Sequence, residues 1–359
     1  MFRIPLHRAR PAVTLLAVVL AATAAGCSSN ASSPSSPASG GAAAAPAVNI
    51  SFALSNKTNQ TYLPLVLAES LGYFKKEGIN LSIVSVTSGS LAWTDMIAGK
   101  VNGVIGFYDH NIDLRAKGTA TESVIQLNQA PGMAELVRTD EAATITSPAD
   151  ESDKKLGITG LGSSTEFLAE YLAAHNGVDV STLHPVAIAA GPTFIAAMQH
   201  DEVDLGVTTE PTISSLLSQK AAKIIVDLRS ASGTEAALGG PYPGTALSFE
   251  TSYVQQHHDT VQRIVNALEM GLKYVQSHSV EQIAAVIPSW FLGTASKTAW
   301  EESLANEIGV YSPTGLMPAD GPQSVNRVLS AFDPQVKGKT VDLSQTYTDA
   351  FVQAASSTS

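Results

Sequence analysis

Apolar and polar residues alternate with a period of two at residues 49–54 and again at 79–86. That is the period of a strand with one buried face. Between these runs Leu65, Ala68 and Leu71 recur at helical spacing. Pro64 stands where a first helical turn tolerates it, and Gly72 can close the helix. The stretch therefore predicts a β-α-β unit. LAWTDMIAGK then predicts a short helix ending at Gly99, and VNGVIGF a third strand.

The pattern restarts in the second half. KKLGITG, residues 154–160, reads as a strand, and residues 163–177 as a helix closed at Gly177. Ser163, Ser164 or Thr165 can cap it, with Glu166 in the first turn. HPVAIAAG, EVDLGVTTE and KIIVDLR read as strands, and TFIAAMQHD as a helix. Strands alternating with helices predict parallel sheets. From about residue 252 the pattern is mostly helical, with a stripe of Val261, Ile264, Val265, Leu268 and Leu272. The two halves also echo each other. MIAGKVNGVIG (96–106) and AMQHDEVDLGV (197–207) share an apolar helix end, a polar turn, Val-Asn or Val-Asp, and an apolar strand. The echo predicts two similarly built lobes.

The chain begins differently. Arg3, Arg8 and Arg10 precede a short apolar run at residues 13–25, followed by small residues. This is the three-part form of a secretory signal, and the run is too short for a bilayer span of about 20 residues. Ala24-Ala25-Gly26-Cys27 resembles the lipobox of bacterial lipoproteins, with Ala24 where leucine is usual. The resemblance implies lipidation at Cys27, the only cysteine in 359 residues. A lone cysteine in an exported protein otherwise invites mispairing. Residues 28–46 are Ser, Ala, Pro, Gly and one Asn without charge, a composition that cannot bury enough surface to order itself. They read as a flexible tether. The formal net charge is −11 and becomes more negative once the three leader arginines are removed. An acidic surface argues against nucleic acid and anionic lipid as partners.

Pro64-Leu65, Ala68-Glu69 and Gly72-Tyr73-Phe74-Lys75-Lys76-Glu77-Gly78-Ile79 together resemble the opening of the nitrate/sulfonate/taurine-type, NMT1/THI5-like, solute-binding proteins of ABC importers. Lys154 to Ile158 followed by Gly162-Ser163-Ser164-Thr165 resembles the start of that family's second lobe, and the turns at Val101 and Val203 fit. The likeness covers about residues 48–310. It implies an α/β, type II periplasmic-binding-protein-like fold, with two α/β lobes, a ligand cleft between them, and two crossovers. Two stretches depart from the pattern. Asp150-Glu151-Ser152-Asp153 stands where the family has Asp-Leu-Lys-Gly, and the loop 56–62 is this chain's own. The expected organisation is a leader at 1–26, a tether at 27–46, the first part of lobe 1 at 47–136, lobe 2 at 137–237, and a return to lobe 1 with C-terminal helices at 238–359. The implied partners are a small-molecule ligand, a transmembrane permease with its ATPase, and a membrane reached through lipid on Cys27. The implied state is a monomer on the extracytoplasmic face, with no cofactor or metal.

Ligands of open α/β sheets bind at the carboxyl ends of strands, which places the site in the loops after each strand. After the first strand, Asn56, Thr58, Asn59, Gln60 and Thr61 offer neutral donors and acceptors, and Tyr62 a flat face with a hydroxyl. Gly89 and Ser90 follow the second strand, and Tyr108, Asp109 and His110 the third. Gly162, Ser163, Ser164 and Thr165 open a helix whose free N–H groups favour an anion. The stretch lacks the third glycine of a dinucleotide fingerprint and the Gly-Lys-Ser/Thr of a P-loop. Asp109 and Glu210 read either as acceptors for a cationic or N–H-bearing ligand end or as structural pairing carboxylates. Tyr242 is a further candidate. His110 alone reads as structural, and Trp93 as core. The ligand classes left open are a sulfonate, taurine or nitrate-like ion or zwitterion, or an aminopyrimidine thiamine precursor. A sensing lipoprotein is the alternative to a transport component.

No enzyme is expected. The chain lacks Gly-x-Ser-x-Gly and His-Glu-x-x-His, and its adjacent His257 and His258 are poorly spaced for one metal. Ser152-x-x-Lys155 lies in a charged loop ahead of a strand. A fungal pyrimidine-synthase branch of the family uses a cysteine cluster, which a chain with one cysteine does not carry.

Overall fold

A computed structural model describes residues 47–356. The expected leader, Cys27 and the tether at 27–46 lie outside the described residues.

Among the described residues, ten strands build two five-stranded sheets. The first holds β1 (Val48–Ser55), β2 (Ile79–Val86), β3 (Gly103–Phe107), β4 (Thr121–Gln126) and β10 (Thr245–Glu250), in the order β2-β1-β3-β10-β4. The second holds β5 (Met133–Arg138), β6 (Lys155–Ile158), β7 (His184–Ala187), β8 (Leu205–Thr209) and β9 (Ala222–Leu228), in the order β7-β6-β8-β5-β9. The sheets are mixed, which corrects the expectation of purely parallel ones. β10 runs antiparallel to β3 and β4, and β5 antiparallel to β8 and β9. Each odd strand is the one that arrives from the other lobe. The chain leaves β4 and enters the second sheet directly as β5, then returns to the first as β10. Two α/β lobes with this double crossover form a periplasmic-binding-protein fold.

The echo between the halves has a structural cause. Asn102 Oδ1 accepts from the Ser51 N–H of β1 at 2.8 Å, and Asp204 Oδ2 accepts from the Lys155 N–H of β6 at 2.8 Å. The backbone N–H groups of Asn102 and Asp204 donate to Ser51 and Lys155 carbonyls at 2.9 Å each. One carboxamide thus clamps β1 just before β3 begins, and one carboxylate clamps β6 just before β8 begins.

Lobe 1 buries Phe52, Leu65, Ile105 and Phe249 against the helix His258–Ser277, whose five-residue apolar stripe is wholly in the core. Fully burying such a side chain contributes roughly 1.5–3 kcal/mol. That helix approaches the helix Leu63–Ser70 so closely that a Cβ on Gly271 would stand 2.2 Å from the Pro64 carbonyl oxygen. In lobe 2, Leu156, Leu168, Leu172 and Val207 pack with Val325, Val328 and Leu329 of the helix Gly321–Phe332. The C-terminal stretch therefore serves both lobes. No helix among the described residues is long and apolar enough to cross a membrane.

Candidate functional site

The carboxyl ends of β1, β2, β3, β6, β7 and β8 converge on a cleft between the lobes. Three helices start there: Gly89–Ile97, Asp109–Ala116 and Ser164–His175. The first N–H groups of a helix have no intrahelical acceptor and carry the positive end of its dipole. Each start follows a strand end, so topology aims all three at one point.

The lobes approach closely around this point. A Cβ on Gly160 of lobe 2 would stand 2.5 Å from the Ser88 Cβ of lobe 1, so glycine is what lets the surfaces meet. They leave a cavity of about 30 Å³, room for two or three waters by the size one water needs. Of the residues proposed from sequence, Asn56, Asn59, Tyr62, Gly89, Ser163, Ser164 and Thr165 line it. Ser55 Oγ and Tyr62 OH are 3.0 Å apart. The hydroxyls of Thr159, Ser163 and Thr165 form a mutual triangle at 2.8–3.1 Å.

The other candidates are engaged elsewhere. Thr58 and Ser90 border adjoining grooves. Gln60 is tied to the helix Lys297–Glu307: its Nε2 donates to the Trp300 carbonyl at 3.0 Å, and its Oε1 accepts from Ser303 Oγ at 2.9 Å. Thr61 is buried beneath that segment, and Tyr108 is a core residue bonded to Thr346. The Gly162 N–H already donates to the Glu166 carboxylate.

Asp109 and Glu210 prove to be pairing carboxylates. Asp109 accepts from Ser164 Oγ and Tyr242 OH, each at 2.8 Å, and so joins the lobes. Burial pushes its pKa up to about 6, against the pull of those two donors. Tyr242 is consumed by the same bond. Glu210 is held by Arg229 Nη1 at 2.8 Å and by Ser214 N and Oγ at 2.9 Å each. Burial still shifts its pKa upward. Neither carboxylate is among the residues that line the cavity: Asp109 is taken by partners from distant parts of the chain, and Glu210 by Ser214 and Arg229, which follow it closely.

Sequence reasoning left out Thr87, Phe107, Met133, Thr159 and Thr209, and set His110 aside as structural. His110 lines the cavity. It is 3% exposed, flanked by Trp93 and Phe167 with ring centroids 5.4 Å away on either side. Its Nε2 has no hydrogen-bond partner among the described residues. Burial lowers its pKa to about 4, so the ring is neutral at physiological pH. Its position in the first turn of a helix that starts at a strand end was the available signal. Among the described residues, the cavity lining holds no Asp, Glu, Lys or Arg.

The NMT1/THI5-like family matches residues 59–282. A structure from Bordetella bronchiseptica RB50 is similar at 27% identity and TM-score 0.83, over 86% of this chain and 97% of that one. The periplasmic nitrate-binding protein NrtA of Synechocystis PCC 6803 shares the fold at 13% identity and TM-score 0.68, over 87% and 89%. The alkanesulfonate-binding protein SsuA of Xanthomonas axonopodis pv. citri, bound to MOPS, does so at 17% identity and TM-score 0.64, over 85% and 100%. The chain thus belongs to the NMT1/THI5-like family and carries it on a periplasmic-binding-protein fold.

Proposed function

We propose that this protein is the extracytoplasmic solute-binding component of an ABC importer, a binder and not an enzyme. It captures a compact anion of the sulfonate or nitrate type by lobe closure and delivers it to a membrane permease. The observation that carries the reading is the cavity itself. Three helix N-termini meet in a space lined by no charged side chain, with a neutral, unpartnered His110 Nε2 among the walls. Helix N-termini favour anions, and the Nε2–H tautomer of His110 would add one more donor. A cationic ligand end has no free acceptor carboxylate here, since Asp109 and Glu210 are paired. This favours alkanesulfonate or nitrate over taurine. The names of NrtA and SsuA point the same way.

Closure follows from differential affinity: a ligand touching both lobes binds the closed state better and shifts the population toward it. The lipobox-like Cys27 supplies the tether to the membrane, which raises the local concentration at the permease.

The test is thermal unfolding of the mature protein against nitrate, methanesulfonate, taurine and methanesulfonamide. A ligand of the folded form at a hundredfold over its Kd stabilises by about 2.7 kcal/mol. A rise with methanesulfonate or nitrate but not with the neutral sulfonamide is expected. A response to the sulfonamide alone would overturn the anion reading. Cys27→Ala should move the protein from the membrane to the soluble fraction, and retention on the membrane would refute the anchor.

A further inference from the structure

Asn56 is the residue shared by two neighbouring spaces. It lines the inner cavity of about 30 Å³ and also a pocket of about 260 Å³ beside it, bounded by Gly191, Pro192 and Ile195 of lobe 2 and by Gly293 to Ala295. The pocket holds no charged side chain and mixes apolar groups with hydroxyls. The Asn56 side chain is fixed as a wall. Its Oδ1 accepts from Thr58 Oγ1 at 2.9 Å, and its Nδ2 lies 3.5 Å from where a Cβ on Gly191 would be. Its backbone has φ 47°, in the left-handed region that glycine adopts without strain.

From this geometry we infer that Asn56 sets the length of ligand the protein accepts. The inference rests on the proposed capture of a small anion. The inner cavity holds a compact head group and little more. Any aliphatic chain on that head must pass Asn56 to reach the larger pocket. With the wall in place the closed form selects short ligands. Without it the two spaces join, and a neutral aliphatic tail gains an apolar, partly enclosed berth.

The test is calorimetric titration of two homologous series, n-alkanesulfonates and neutral n-alkanesulfonamides of one to five carbons. The proteins are wild type, Asn56→Gly and Asn56→Asp. Far-UV circular dichroism confirms that each is folded. The readout is the affinity ratio of long to short homologues within each protein, which cancels any general loss. Wild type should lose affinity beyond about two carbons. Asn56→Gly should instead gain about fourfold per added methylene as the tail is buried. Asn56→Asp keeps the wall and adds a negative charge. It should weaken every sulfonate about equally and leave the length profile as in wild type. Equal length profiles for wild type and Asn56→Gly would overturn the role of Asn56. If only the sulfonamides bind, the anion reading falls while the length profile still decides the role of Asn56. If neither series binds any of the proteins, both ideas fall.

Discussion

The two lobes share a sheet order and the same turn clamp, yet they present different helix starts to the cleft. In lobe 1 the helix Gly89–Ile97 is capped by the Ser88 hydroxyl, which accepts from the Leu91 N–H at 3.3 Å, and its first turn has no acid. In lobe 2 the helix Ser164–His175 carries Glu166 in its first turn, and that carboxylate takes the Gly162 N–H. Topology decides where a helix N-terminus points, and one side chain decides how much of its positive end is left for a ligand. On the proposed function, the helix Gly89–Ile97 of lobe 1 offers the freest N-terminus to an anion, since the other lobe 1 start, Asp109–Ala116, carries Asp109 in its first turn. Lobe 2 contributes mainly closure.

The largest expected effect comes from preventing that closure. Gly160 does not adopt a left-handed φ, and the nearest atoms a Cβ there would meet belong to Ser88, at 2.5 and 2.9 Å across the cleft. Overpacking of this kind costs about 1–3 kcal/mol, which falls on the closed state alone. Gly160→Val should therefore weaken ligand binding by roughly fivefold to 150-fold while leaving the unfolding midpoint of the unliganded protein nearly unchanged. Small-angle scattering should show that the variant no longer contracts with ligand. Wild-type affinity in the variant would mean that ligand binds without the Ser88–Gly160 contact.

A second asymmetry lies deeper. Lobe 2 carries two buried carboxyls face to face, Glu135 on the strand that enters from lobe 1 and Glu151 on the loop before β6. Burial first, and then each other's proximity, holds Glu135 well above the carboxylate range, and burial raises Glu151 to about 8. Asp150 adds to the upward push on Glu151. Such a pair retains a proton that the unfolded chain releases near the ordinary glutamate value. The folded state then binds more protons than the unfolded one, so stability falls as pH rises. The loss should run from about pH 4.5 to about pH 8, lowering the melting midpoint by several degrees. Glu135→Gln supplies a permanent donor to Glu151 and should flatten that slope. An unchanged slope would place the alkaline loss outside this pair.

The same pair shows why part of the fold was hidden in the sequence. The strands β1, β2, β3 and β6 to β9 were legible because their patterns are bounded by turn residues. β4, β5 and β10 were not, because polar groups occupy buried positions along them. Glu135 interrupts the apolar run of β5. Ser248 of β10 is buried because Asn111 Nδ2 donates to it at 3.0 Å, and Gln126 of β4 because its Nε2 donates to the Gly244 carbonyl at 3.1 Å. Those partners lie more than 100 residues away, beyond any local period. The site divides the same way. The strand-end rule found Asn56, Tyr62 and Ser163 to Thr165. The commitments of Asp109 to Tyr242 and of Gln60 to Ser303 depend on tertiary pairing, and they remove these residues from the cavity.

The smallest expected effect goes most directly at the difference between the helix starts. Glu166→Gln keeps an oxygen that can accept the Gly162 N–H and removes the charge. A charge at a helix N-terminus interacts by about 0.3–1 kcal/mol, so an anion in the cavity should bind about two- to fivefold tighter once this competitor is neutral. The helix Gly89–Ile97 has no corresponding acid, and Ser88→Ala should act the other way, loosening the helix start there. A neutral sulfonamide should be indifferent to Glu166→Gln. Calorimetry with both ligands separates the cases. A gain confined to the anion would show that Glu166 dilutes the pull of lobe 2. Equal changes for both ligands would mean that Glu166 shapes the loop and not the charge, and the electrostatic contrast between the lobes would then fall.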